Sequence, residues 1–145
     1  MPAVHVINGP NLNLLGSREP DVYGSATLED IKAQLAERCA ERGVDLVFRQ
    51  SNHEGDLVDW IQEAGRDGAP VILNAGALTH TSIAIHDAIK GSGATVVEVH
   101  LSNIYRREEF RRQSLTARAC VGLISGLGPA GYDLALTYLI DSFRG

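Results

Sequence analysis

The sequence predicts an α/β chain of three layers, a five-stranded parallel sheet with helices on both faces, and three observations carry that prediction. Short β-rich runs alternate with helical stretches from one end to the other. Most of the β-rich runs are continuously apolar instead of alternating, which suits strands covered on both sides. The helical stretches fall between those runs, as crossovers between parallel strands require.

The expected strands are Val4 to Ile7, Val44 to Arg49, Pro70 to Leu73, Thr95 to Val99 and Ala119 to Ile124. The first helix should begin after Thr27, an N-cap residue with Asp30 three positions on as its capping-box partner. Leu28, Ile31, Leu35 and Cys39 keep to one face of it, and Gly43 stops it. A second helix is expected over Asp56 to Ala64, and a third over Thr81 to Ile89, ending before Gly91. A last helix is expected over Ala130 to Phe143, where Leu136, Leu139, Ile140 and Phe143 recur at helical spacing. The βα alternation in one domain spanning residues 1–145 implies right-handed crossovers. A flavodoxin-like strand order fits best, although alternation by itself leaves the order open. Ligands of such folds sit beyond the carboxyl ends of the strands.

Composition narrows the function classes. The 145 residues suffice for one core, and 44% of them are hydrophobic, which excludes disorder. The net charge is −5 with no basic stripe, which argues against nucleic acid as a partner. Cys39 and Cys120 form no CxxC pair and read as reduced thiols. No apolar run is long enough for a membrane span, and the first residues lack the layout of a signal peptide, so a soluble, cytoplasmic protein is expected.

Unusual polar residues gather where the fold places ligands. Asn8-Gly9-Pro10-Asn11 follows strand one, Asn74 to His80 follows strand three, and His100-Leu101-Ser102-Asn103 follows strand four. Each alone is as readily a cap or a turn. Their joint position at one sheet edge favours a small-molecule site. After strand one a structureless stretch is expected to about Ala26, with Arg18 and Tyr23 inside it and Gly16 and Gly24 as hinges for a lid. Glu98 and His100, two apart on one strand, point the same way. Glu98 can then fix the tautomer of His100 and support its protonated form; a structural histidine satisfied by Glu98 is an equally open reading.

Longer motifs carry a resemblance. INGPNLNLLGSREPDVYG (7–24), SNHEGDLVDWI (51–61), VILNAGALTHTS (71–82), VEVHLSNIYRREEFR (97–111) and GLGPAGY (126–132) resemble the type II 3-dehydroquinate dehydratases, nearly end to end. The resemblance implies a flavodoxin-like fold and conversion of 3-dehydroquinate to 3-dehydroshikimate and water without a cofactor, in the shikimate or quinate pathway. It implies Tyr23 as base, Arg18 as the residue that activates it, His100 as general acid, and Asn11 as the holder of a water that stabilises an enolate. It further implies that Asn74 and the Leu101–Ser102 backbone bind the carboxylate region, and that His80 and Arg111 hold ring hydroxyls. Asp87 would serve a neighbouring subunit's site in a homododecamer, a tetramer of trimers. Ala77 and the Thr116–Ala117–Arg118 stretch are expected to be variable positions.

The chemistry suits these residue types. A phenol titrates near pH ~10 and needs a neighbouring cation to act as a base at neutral pH. An arginine supplies that cation at all relevant pH. An imine route needs a lysine, and Lys32 and Lys90, both on expected helices, are the only two. Other readings fare worse. Gly126 to Gly131 fits GxGxxG but lies in the last βα turn, so a packing turn explains it better than a dinucleotide site. His80 and His86 have no metal spacing, so no metal is expected. The non-enzymatic alternative is a flavodoxin-like binding or signalling domain.

Overall fold

A computed structural model describes residues 1–17, 21 and 24–145. Five strands, β1 (Val4–Asn8), β2 (Leu46–Gln50), β3 (Pro70–Asn74), β4 (Thr95–His100) and β5 (Gly122–Ser125), form one sheet. All pair in parallel, in the order β2-β1-β3-β4-β5. The α-helices among the described residues are α1 (Leu28–Arg42), α2 (Glu54–Arg66), α3 (Ile83–Ser92) and α4 (Ala130–Arg144).

Side-chain alternation along each strand divides the core in two. Val4, Val6, Ile72, Val97 and Val99 pack with Ile31, Leu35 and Cys39 of α1 and with Leu136, Leu139 and Ile140 of α4. Ile7, Val71, Leu73 and Val96 pack with Leu57 and Ile61 of α2 and with Ile85 and Ile89 of α3. Each fully buried Leu or Ile contributes roughly 1.5–3 kcal/mol. The strand order reverses between β1 and β3, which makes their carboxyl ends the switch point of a doubly wound, flavodoxin-like sheet.

The capping box at α1 forms as expected: Asp30 N–H donates to Thr27 Oγ1 at 3.1 Å and Thr27 N–H to Asp30 Oδ2 at 3.0 Å. Several boundaries differ from the sequence expectation. Helix α3 runs through Gly91 and stops at Gly93, whose φ of 70° is left-handed. Strand β5 begins at Gly122, because Ala119 and Cys120 are apolar for a different reason: they pack against the α2/α3 side from a preceding 3-10 turn. The stretch after β1 is not structureless throughout, since Leu12–Leu14 form a 3-10 turn anchored by buried Leu12 and Leu15. Strands β4 and β5 are joined by three 3-10 turns (Ile104–Arg106, Glu109–Arg111, Ala117–Ala119) with no α-helix.

Candidate active site

A cleft of about 220 Å³ opens at the carboxyl ends of β1, β3 and β4. Its lining includes Asn11, Asn74, His80, His100, Leu101, Ser102 and Arg111, so seven of the sequence-predicted site residues come together. Arg18 and Tyr23 lie outside the described residues. Asp87 does not line this cleft; its side chain stands exposed on α3, over the groove between α2 and α3.

The loops after β1 and β3 form one side. Gly9 N–H donates to Asn74 O at 2.8 Å, and a Cβ on Gly9 would sit 2.4 Å from Ala75 O, so only glycine permits this approach. Asn11 is the only described non-glycine residue with positive φ, at 69°. Its N–H is tied to Asn52 Oδ1 at 3.0 Å, and Gln50 braces the same loop through Gly9 O. Left-handed backbone outside glycine is uncommon and concentrates at functional sites.

Strand β4 supplies the other side. Glu98 and His100 share the α2/α3 face, as their spacing predicts, and His100 Nε2 lies 2.8 Å from Glu98 Oε2. Glu98 is fully buried and also accepts from Ser114 Oγ at 2.8 Å and from Thr116 Oγ1. Three donors satisfy it, as a buried carboxyl requires. His100 Nε2 is thereby committed to Glu98, and His100 lines the cleft. Thr116, which no sequence signal places at the site, is buried, and its hydroxyl helps hold Glu98.

His80 stacks on His100, with ring centroids 6.5 Å apart and planes 20° apart. Its Nδ1 lies 2.8 Å from Gln113 O, an acceptor only, so Nδ1 carries the proton and Nε2 of the neutral ring accepts. Burial holds the His80 pKa below the ordinary value, with the charges of His100 and Arg111 acting in the same direction and Gln113 against them. Arg111 lines the cleft while its Nε donates to Glu108 Oε2 at 2.6 Å. Arg107, which the sequence reading missed, also lines the cleft and donates to Ser102 Oγ at 3.2 Å.

The turn after β5 is hydrogen-bonded to the end of β4 and the residue that follows it. Gly126 N–H donates to His100 O at 3.2 Å and Gly128 N–H to Leu101 O at 3.0 Å. Among the described residues no group of three or more His, Cys, Asp or Glu converges, and no helix is long and apolar enough to cross a membrane. Lys32 and Lys90 are exposed on α1 and α3, and neither lines the cleft.

Known proteins share this arrangement of chain. The family model described as "Dehydroquinase class II" matches residues 2–140. The chain is 57% identical over 136 residues to the 3-dehydroquinate dehydratase of Azorhizobium caulinodans, covering 94% of this chain and 92% of that one. It is 54% identical over 142 residues to the 3-dehydroquinate dehydratase of Thermus thermophilus, covering 97% and 95%. Among solved structures, the type II dehydroquinase of Butyrivibrio crossotus superposes with a TM-score of 0.93 at 42% identity, over 96% of this chain and 97% of that one. That of Propionibacterium acnes superposes with a TM-score of 0.92 at 45% identity, over 96% of each. With a family model spanning nearly its whole length and relatives above half identity, this chain belongs to the class II dehydroquinases.

Proposed function

We propose that this protein dehydrates 3-dehydroquinate to 3-dehydroshikimate through an enolate, with Tyr23 as base and His100 as general acid. The relatives named for this activity support the reaction. The observation that carries the mechanism is the Glu98–His100 pair at the mouth of β4, where a buried carboxyl orients an imidazole towards a small polar cleft. Tyr23, activated by Arg18, takes a proton from the carbon next to the ketone. The electron pair of that C–H bond moves onto the ketone oxygen, where a water held by Asn11 meets the developing charge. The enolate collapses, the β-hydroxyl departs with a proton from His100, and a C=C bond conjugated to the ketone remains. Asn74 and the Leu101–Ser102 backbone receive the substrate carboxylate, while His80 and Arg111 take ring hydroxyls. An imine route finds no lysine at the cleft.

In this reading Asp87 reaches a neighbouring subunit's cleft, which its outward position on α3 permits, and the protein works as a cytoplasmic homododecamer of four trimers. The test is growth of enone absorbance on adding 3-dehydroquinate. Tyr23→Phe should lower kcat by about 10²–10⁴-fold, the range for loss of a general base, with the melting temperature little changed. Activity of that variant at the wild-type level removes the phenol from the mechanism.

A further inference from the structure

Beneath the switch point, on the face opposite Glu98, a second polar cluster is fully buried. Asn8 and Asn74 are direct partners in the β1–β3 register, and both point towards α4. Tyr132, in the first turn of α4 and 0% exposed, stands between them. Gly131 lets the helix come close, because a Cβ there would already press on Val99 and Ile124 at 3.2 and 3.4 Å. The hydrogen bonds run in one line. Asn8 Nδ2 donates to Arg49 O at 3.1 Å, Tyr132 OH donates to Asn8 Oδ1 at 2.7 Å, Asn74 Nδ2 donates to the Tyr132 oxygen at 3.0 Å, and Gly76 N–H donates to Asn74 Oδ1 at 3.2 Å.

The two ends of this line set every member. A backbone carbonyl only accepts, so Asn8 must offer Arg49 O its nitrogen and turn its oxygen inward. A backbone N–H only donates, so Asn74 must offer Gly76 its oxygen and turn its nitrogen inward. An inward oxygen and an inward nitrogen can be joined by a group that donates to one and accepts from the other, which a hydroxyl does. Asn74 also lines the cleft, and the second hydrogen on Nδ2 is the one left for a ligand. Tyr132 and Asn8 do not line it.

We propose that Tyr132 is a positioning residue for substrate binding: its hydroxyl, anchored through Asn8 to the β2 backbone, holds the Asn74 amide so that an N–H faces the cleft and receives a carboxylate. This deepens the dehydratase reading, on which it rests, by naming what aims the carboxylate subsite. A flipped Asn74 would present an oxygen to the anion and lose the Gly76 contact together.

The test uses the intact protein, with steady-state kinetics on 3-dehydroquinate and calorimetric titration of quinate against its methyl ester. Tyr132→Phe is expected to raise KM about tenfold, with kcat within about threefold, and to erode the preference for carboxylate over ester by a similar factor, the scale of one charged hydrogen bond. Asn8→Ala, one bond further from the cleft, is expected to raise KM about threefold, as befits a neutral hydrogen bond acting through a relay. Leu139→Ala, a core variant on the same helix, should lose stability without changing KM or the preference. Wild-type KM and preference in both relay variants overturn the proposal, as does an equal shift in Leu139→Ala. If Tyr132→Phe does not fold, Asn8→Ala decides by the same criterion. A wild type that binds quinate but turns over no 3-dehydroquinate sinks the dehydratase reading, while the titrations still decide the relay.

Discussion

The two faces of the sheet hold different kinds of polar hub beneath one cleft. On the α2/α3 side, Glu98 collects His100, Ser114 and Thr116. A carboxyl that only accepts makes a star: each donor points at it, and removing one leaves the others in place. On the α1/α4 side, Tyr132 both donates and accepts, which makes a line from Arg49 O to Gly76 N. The star fixes an imidazole that lines the cleft. In the proposed reading, the line fixes a direction at the binding end. Burial of such groups is costly unless every partner is present, so both hubs also specify local structure.

This contrast can be broken by experiment. The largest effect is expected from His100→Ala, which should lower kcat by about 10²–10⁴-fold with a smaller change in KM. A rise in KM with kcat intact would mean that the star, like the line, serves binding alone. Next comes Thr116→Val, which removes one donor from Glu98 and should cost about 1–3 kcal/mol of stability, measured by urea denaturation. Activity should fall only modestly, because Ser114 still holds the same oxygen as His100. Collapse of activity at unchanged stability would show that the star is not redundant.

The smallest effect concerns pH. Burial is the chief reason that His5 and His80 titrate below the ordinary histidine value of 6.5. A folded pKa below the unfolded one means that the unfolded chain binds more protons as pH falls through 6.5. Stability should therefore be full above that value and decline from there towards the folded pKa values. Urea midpoints taken from about pH 7.5 to about pH 5 should fall, and His80→Asn or His5→Asn should flatten the slope. A wild-type midpoint that rises on acidification contradicts the sign.

What could be read from the sequence follows from the range of each interaction. Strands buried on both faces announce themselves as apolar runs, and period two puts Glu98 beside His100. The box at Thr27 and Asp30 is equally local. The start of β5 was not legible, because Ala119 and Cys120 are apolar for packing from a turn and not for pairing. Thr116 meets Glu98 across 18 residues, and Tyr132 meets Asn8 across 124, distances at which one sequence holds no periodic signal. Arg18 and Tyr23, legible as a motif, lie outside the described residues.

The link from β4 to β5 has a consequence of its own. A regular helix there would repeat its side chains every 3.6 residues and face the sheet with one stripe. The irregular path instead sends Arg107 and Arg111 to the cleft, the Gln113 carbonyl to His80, and Ser114 and Thr116 to Glu98. One short segment thus anchors both imidazoles. In the proposed reading, local detachment of this segment would cost the pair its alignment while the strands stayed paired.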